Sequence, residues 1–212
     1  MKWPKKIIDV SMEISEEMTT YKNREENRPI ITVTRDFNEG DAYESAITLG
    51  MHTGTHLDMP LHMIKGGATL DTLMLDQVVT RCRVLDLTHV ANAVTREDLQ
   101  KLEIPADSFI LLKTRNSNQE PFDFSFVYLE ASGALYLKEL EIKGVGIDAL
   151  GIERDQPKRE THRTLLGSGI LILEGLRLKE VAAGDYLLVA APLKIKGVEA
   201  APLRALLLDI SE

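Results

Sequence analysis

Apolar residues in this chain occur in short stretches that end at or near Gly, Pro or Asp. The stretches are rich in Val, Ile, Leu or Thr, a composition that at this length is typical of β-strands. The pattern predicts nine strands, which lie at Ile7–Ser11, Ile30–Phe37, Tyr43–Leu49, Arg83–Leu87, Phe109–Thr114, Val145–Asp148, Ile170–Leu173, Tyr186–Ala191 and Arg204–Ile210. Strands should therefore form most of the framework of the fold.

Helix signals are fewer than strand signals. Residues Thr95 to Asp98 resemble a capping box, with Asp in place of the usual Glu, and predict a helix that runs to about Glu103. Residues Arg177 to Ala183 predict a second short helix.

A longer helix is predicted from about Glu130 to Glu141, with Leu135 and Leu140 facing inward and Gly133 as its weak point. Strands outnumber helices, but helices separate them along the chain. The sequence therefore predicts a mixed α/β fold. Because no repeat, low-complexity segment or flexible linker divides the chain, residues 1–212 are expected to form one domain.

The segment from Glu16 to Pro29 is polar and charged, with Asn23 and Asn27 and few apolar residues. It is predicted to be a long surface loop. Loops of this length are either functional, as lids or binding loops, or disordered. The sequence leaves both alternatives open.

Composition excludes several classes of protein. The net charge of −8 disfavours a nucleic-acid partner, and no long apolar segment predicts a membrane span or a signal peptide. The single cysteine, Cys82, excludes an intrachain disulfide and lies in a strand-like segment, where a buried core residue is expected rather than a nucleophile. These features are typical of a soluble enzyme in a reducing cytoplasm.

Candidate chemistry is concentrated between His52 and His62, where three of the five histidines fall close to an aspartate. His52, His56, Asp58 and His62 all have even numbers, so on an extended backbone they point to one side. On a helix they would divide into two separate pairs, and glycine and proline within the run also disfavour a helix. The run therefore predicts an extended or kinked segment that presents these four groups to a divalent metal.

Further ligands must come from elsewhere in the chain. His162 and Glu174 are the best candidates, and Glu174 ends an apolar strand. A carboxylate at such a position more often marks the exit of a strand into solvent than a site at the edge of the sheet. The residues alone leave the role of Glu174 open.

The pattern His-x-Gly-Thr-His-x-Asp-x-Pro-x-His resembles the signature of the metal-dependent cyclase and kynurenine formamidase family, which includes isatin hydrolase-type enzymes. The resemblance covers nearly the whole chain, through segments near Ile8, Gly144, His162, Glu174 and Pro192. It implies a swivelling β/β/α fold and a homo-oligomer, a dimer or higher.

The resemblance also implies roles for these residues and a divalent metal cofactor, two Zn²⁺ per chain with Mn²⁺ as the alternative. His52 and His56 would hold a first ion, His162 would hold a second, and Asp58 and Glu174 would bridge the two. His62 would act as proton donor and acceptor. The aromatic substrate contact of the family would fall on Tyr21, although the Pro-Gly that follows it in the family is absent here.

The activity implied is hydrolysis of an aryl formamide such as N-formylkynurenine by water activated at the metal site. Hydrolysis of a cyclic, isatin-like amide is the alternative. Two other classes stay open. The first is an Fe(II) oxygenase, because the set His56, Asp58 and His162 matches the two histidines and one carboxylate of its facial triad. The second is a non-catalytic metal-binding module, which the cluster would also suit.

Overall fold

The computed structural model of the protein describes residues 3–38, 40–118 and 122–210. Within these ranges the strands are β1 Lys6–Asp9, β2 Ile30–Arg35, β3 Glu44–Thr48, β4 His56–Asp58, β5 Val79–Asp86, β6 Ala93–Val94, β7 Phe109–Lys113, β8 Tyr128–Leu129, β9 Gly144–Ile147, β10 Leu171–Glu174, β11 Gly184–Val189, β12 Ala200–Pro202 and β13 Leu206–Asp209. The α-helices are α1 Leu75–Val78, α2 Arg96–Leu99, α3 Ala131–Glu139 and α4 Glu160–Leu166. The predicted mixed α/β class is confirmed.

One large sheet dominates the molecule. Its strand order is β1-β13-β11-β5-β7-β9-β10-β4-β12. The centre of the sheet consists of four strands that run parallel to one another, β5, β7, β9 and β10. All pairings on either side of these four strands are antiparallel. Parallel strands are normally buried on both faces, and β7 and β9 are entirely apolar or glycine apart from the terminal Lys113.

The core lies on both sides of this sheet. In β7, Ile110 and Leu112 belong to one buried apolar cluster, and Phe109 and Leu111 belong to another. This alternation follows from the two-residue period of a strand. Helix α3 contributes Ala134 and Leu137 to the first cluster, and α4 adds two leucines, so the helices cover one face of the sheet.

The predicted capping box is confirmed. The Thr95 hydroxyl accepts a hydrogen bond from the Asp98 backbone N–H (3.3 Å), and the Asp98 carboxylate accepts one from the Thr95 N–H (3.0 Å). Helix α2 ends at Leu99, so the predicted extension to Glu103 is too long.

Helix α3 lies where it was predicted, but one inward position was wrong. Leu135 is 47% exposed, whereas Gly133, Ala134 and Leu137 are buried. Gly133 is required by close packing, because a Cβ there would lie 2.7 Å from the Leu129 side chain. The helix therefore approaches its neighbours more closely than a larger residue would allow.

Other sequence expectations differ from the structure. The predicted helix at 177–183 does not form, because the Arg177 N–H bonds to the Val10 carbonyl and the leucine and valine of this segment are buried in the core. Helices α1 and α4 and the short strands β4, β6, β8 and β12 were not among the predicted elements. Across the described residues, no helix has the length and apolar character needed to cross a membrane.

Strands β2 and β3 form a separate hairpin, as their sequences allow, but every residue in both is exposed.

Cys82, in β5, is buried, and burial raises the pKa of its thiol to about 12. This supports the interpretation of Cys82 as a core residue.

Candidate metal centre

The register between β4 and β10 brings three predicted site residues onto one face of the sheet. Glu174 pairs directly with His56, and Ile172 pairs with Asp58. Directly opposed side chains of antiparallel strands share a face, as do residues two apart along a strand. His56, Asp58 and Glu174 therefore point toward the helices, while the intervening Leu57 and Leu173 enter the opposite core cluster.

The turns that flank this strand pair touch each other. Gly54 has φ = 63° and Gly175 has φ = 72°, a conformation that favours glycine. A Cβ on Gly175 would lie 2.4 Å from the Gly54 carbonyl oxygen. The Thr55 hydroxyl donates to the Gly175 carbonyl (2.6 Å), which fixes the backbone immediately before His56.

The remaining predicted site residues approach from three other elements. His52 lies in the turn before β4, His62 ends the 3-10 helix Pro60–His62, and His162 lies in α4. The ring centroids of His52 and His62 are 4.2 Å apart, and those of His62 and His162 are 5.6 Å apart. The structure thus brings together the five predicted metal ligands and His62, the predicted proton donor and acceptor.

Asp58 faces three of the histidines, and Glu174 faces two of them. Asp58 Oδ1 is 3.0 Å from His52 Nδ1 and 3.5 Å from His56 Nε2, while its Oδ2 is 3.8 Å from His162 Nε2. Glu174 Oε2 is 3.4 Å from His56 Nε2, and its Oε1 is 3.4 Å from His162 Nε2. Each carboxylate therefore directs one oxygen toward His56 and the other toward His162.

Two histidine rings are held by a contact at Nδ1. His56 Nδ1 lies 2.9 Å from the Gly54 carbonyl, and His162 Nδ1 lies 2.6 Å from Glu153 Oε1. A histidine anchored in this way presents Nε2 as a free ligand atom, the usual arrangement of metal-binding histidines. Glu153 is fully enclosed and also accepts from the Thr161 N–H at 3.0 Å.

Glu153 was not predicted from the sequence. It lies nine residues before His162 in an irregular segment, where neither periodicity nor a motif marks it. Glu199 was also missed, although its Oε1 lies 3.3 Å from His52 Nε2.

The donor set suits a divalent cation. His56 Nε2 and both Asp58 carboxylate oxygens are buried, and none of them makes a hydrogen bond of suitable geometry with any residue that the structure describes. Buried polar atoms without partners are costly, and imidazole and carboxylate groups together are ligands for Zn²⁺, Mn²⁺ or Fe²⁺. Candidate ligand atoms of His52, His56 and Asp58 lie within 4.8 Å of one another, as do those of Asp58, His62 and His162.

The electrostatics of the cluster also favour added positive charge. Burial lowers the pKa of His56 and of His162, but the surrounding carboxylates outweigh burial and raise these values to about 9 and about 10. Burial raises the pKa of Glu174, but the adjacent His162 and His56 hold it well below its usual range. For His62 burial dominates and lowers the pKa.

Four members of the cluster, His52, His62, His162 and Glu174, line a cavity of about 600 Å³. The same cavity is lined by the predicted loop, which contains the 3-10 helices Tyr21–Asn23 and Glu25–Asn27. The loop is therefore part of the cavity wall. Tyr21, the predicted substrate contact, lines the cavity, and its ring packs edge-on against Phe122 at 5.1 Å.

Comparison with known proteins agrees with this geometry. The family model described as "Putative cyclase" matches residues 8–154. Kynurenine formamidase from Salinibacter ruber is 34% identical over 206 residues, covering 96% of this chain and 97% of that protein.

Solved structures share the whole fold. One described as a potential metal-dependent hydrolase with cyclase activity has a TM-score of 0.90 and 46% identity, covering 98% of this chain and 99% of its own. A hydrolase from Bacillus stearothermophilus has a TM-score of 0.89 and 48% identity, covering 96% and 98%. Isatin hydrolase A from Labrenzia aggregata, at 24% identity and covering 97% and 94%, shares the fold with a TM-score of 0.85.

These matches confirm the predicted resemblance and the predicted enzyme class, a metal-dependent amide hydrolase. They also agree with the motif that first indicated the site, because the matched residues 8–154 include the run from His52 to His62. The chain therefore belongs to the cyclase family and is a homologue of kynurenine formamidase.

Proposed function

We propose that this protein hydrolyses an aryl formamide, such as N-formylkynurenine, and so acts in tryptophan breakdown. The observation that carries the proposal is the convergence of four histidines and two buried carboxylates at one cavity. The identity to kynurenine formamidase over nearly the whole chain supports this choice of substrate.

Two divalent ions fit the arrangement of the carboxylates. In our proposal His52 and His56 hold the first ion, His162 holds the second, and Asp58 and Glu174 bridge them. The support is that each carboxylate directs one oxygen toward His56 and the other toward His162. Zinc is our choice and manganese the alternative, and such ions polarise a carbonyl and lower the pKa of water.

His62 is proposed to transfer the proton. It lines the cavity, is half-buried and lies beside His52 and His162. A ring nitrogen of His62 would accept a proton from the attacking water and then donate it to the leaving amide nitrogen. Tyr21, which lines the same cavity, would contact the aryl ring.

A cyclic, isatin-like amide is the second candidate substrate. The fold that this chain shares with isatin hydrolase A supports this second candidate. An Fe(II) oxygenase would use only His56, Asp58 and His162, and would leave the neighbouring His52, His62 and Glu174 without a role.

We further propose a cytoplasmic homo-oligomer built from one domain per chain. The β2–β3 hairpin supports assembly, because its cross-strand pair Ile31 and Ile47 is exposed and an isolated two-stranded hairpin is only marginally stable in water. Light scattering on wild type and on Ile31→Lys/Ile47→Lys tests this. The hairpin variant should be monomeric, whereas Leu135→Lys, on the exposed side of α3, should retain the wild-type mass.

The function is tested by N-formylkynurenine hydrolysis with protein loaded with Zn²⁺ or Mn²⁺, against a chelated control. Metal-dependent release of formate is the expected result. If only isatin-like lactams are hydrolysed, the second candidate is correct. Metal binding without turnover of either class would indicate a binding module, and strict dependence on O₂ would indicate an oxygenase.

A further inference from the structure

Arg159 breaks three local rules of structure at the start of α4. Its φ is 55°, in the left-handed region that residues other than glycine rarely occupy. It holds the N-cap position without a capping hydrogen bond from its side chain, where Ser, Thr, Asp or Asn is preferred. Its positive charge also lies at the end of the helix that favours negative charge. Such conflicts concentrate at functional sites.

The side chain of Arg159 lines the same cavity as His162 and Glu174. It begins the helical turn that carries His162, so it lies on the cavity side one turn away from the metal-binding residues. Arg159 also lies close enough to Tyr21 to affect its ionisation. Burial raises the pKa of Tyr21, and the positive charge of Arg159 opposes that rise.

Arg159 has no ion pair among residues 3–38, 40–118 and 122–210, because no carboxylate there lies within salt-bridge distance of it. Arg28, the other arginine in the wall, lies 4.0 Å from Glu25. The carboxylates of the wall are Glu26 in the loop and Glu153, Glu174 and Glu199 beside the histidines. The last three face His162 or His52, not Arg159.

We propose that Arg159, together with the Tyr21 hydroxyl, binds a carboxylate of the substrate, so that the enzyme selects carboxylated aryl formamides over neutral ones. This inference rests on the proposed function. A guanidinium binds a carboxylate through two parallel hydrogen bonds, which fix orientation as well as position. With the carboxylate held at Arg159, the formamide group extends along the cavity toward His62 and the metal centre.

The kinetic test compares N-formylkynurenine with formanilide, a neutral aryl formamide, in the metal-loaded enzyme. Arg159→Gln should raise KM for N-formylkynurenine at least ~10-fold, the loss of a charge-assisted hydrogen bond, with kcat nearly unchanged. The same variant should leave kcat/KM for formanilide within about 2-fold, since no contact specific to the neutral substrate is removed. Arg159→Lys, which keeps the charge, should recover part of the loss.

Arg163→Gln is the matched control. Arg163 lies one turn further along α4, is exposed and does not line the cavity, so its removal makes the same change in net charge. Its kinetic constants should equal those of wild type for both substrates. An equal loss in the two variants would overturn the proposal, because it would indicate a general effect of charge.

A binding measurement separates failure of this inference from failure of the proposed function. Calorimetry with kynurenine and its methyl ester should show that wild type prefers the carboxylate, and that Arg159→Gln loses the preference. If wild type hydrolyses no formamide but this preference is observed, the proposed function is wrong and the anion site stands. Suppose instead that wild type hydrolyses formamides. The anion site is then wrong if kynurenine and its methyl ester bind equally well, or if Arg159→Gln leaves KM for N-formylkynurenine unchanged.

Discussion

The metal centre and the loop that lines the cavity beside it are built in different ways. At the metal centre, here called the inner end, His56, Asp58 and Glu174 are buried on paired strands of the central sheet. At the loop, here called the outer end, the wall consists of two mostly exposed 3-10 helices, in which Lys22 and Asn23 have positive φ. A change of side chain at the inner end disturbs the sheet and the cluster together, whereas most of the loop can change without affecting the core.

This difference separates chemistry from selectivity. The motif from His52 to His62 lies at the inner end, whereas the loop lacks the Pro-Gly that the family resemblance predicts after Tyr21. We therefore expect substitutions at the inner end to reduce turnover or metal binding, and substitutions at the outer end to act on KM. The following predictions test this division, from the largest expected effect to the smallest.

Replacing Glu174 with Gln should have the largest effect. The substitution preserves shape but removes a buried charge that faces both His56 and His162. We expect metal content to fall and kcat/KM to drop at least ~10³-fold, since several contributions to catalysis are lost together. Metal analysis and steady-state kinetics measure this, with exposed Asp155→Asn as the control. Full metal content with normal turnover would show that Glu174 is not a ligand.

Replacing His62 with Ala should reduce kcat by about 10²–10⁴-fold, the usual contribution of a general acid or base. Metal content should stay at the wild-type level, because in our proposal His62 is not a ligand. His62 also lies within ligand distance of Asp58 and His162. Loss of metal from this variant would therefore reassign His62 as a ligand.

Replacing Glu153 with Gln should reduce metal affinity or activity by about 10–100-fold, as for other groups that orient a metal-binding histidine. The reason is the 2.6 Å contact between Glu153 and His162 Nδ1. Competition with a chelator of known affinity measures the change. A variant with unchanged affinity and unchanged kcat would show that α4 alone positions His162.

Replacing Tyr21 with Leu should raise KM for an aryl formamide by about 3–10-fold, because an aromatic contact is worth roughly 0.5–1.5 kcal/mol. Metal content should not change, since Tyr21 belongs to the outer end of the cavity. A loss of metal in this variant would contradict the separation between the two ends.

Replacing Thr95 with Ala should affect neither end of the cavity. It removes the cap of α2, and the free energy of unfolding should fall by about 1 kcal/mol with unchanged kinetics. Burial raises the pKa of Asp98, but hydrogen bonds from Thr95 outweigh it and lower the value below 3.8. The contribution of this cap is therefore present above the unfolded pKa and lost as the pH falls through the folded value. Denaturant titrations at pH 7 and pH 3 would measure both effects.

Local patterns predicted much of the fold. Each of the nine predicted strands overlaps a strand of the structure, because strand composition and bounding residues are local properties. The pattern failed where tertiary contacts decide the structure. Residues 177–183 have helical propensity, but the Arg177 N–H bonds to the Val10 carbonyl just after β1, and the apolar side chains of the segment enter the core. Helix α4 lacks a start signal in the sequence, because its N-cap is Arg159 rather than a typical capping residue.

The site was predictable where its residues are dense in sequence. The run from His52 to His62 was recognisable from its density of histidines. Only His56 to Asp58 forms a strand, however, and His62 lies in a 3-10 helix. The proximity of Glu174 depends on strand register, which a single sequence does not reveal without the family resemblance. Glu153 and Arg159 depend on how the segment before α4 folds, and no periodicity marks either residue.

The pairing of β4 with β10 has a consequence for folding. Side chains alternate along a strand, so a slip of one residue in this pairing would turn Glu174 to the opposite face from His56 and Asp58. The misaligned pair would bury a carboxylate among leucines. Metal affinity during refolding should therefore appear only in molecules whose two strands have paired in the native register, and a bound ion would retain those molecules selectively.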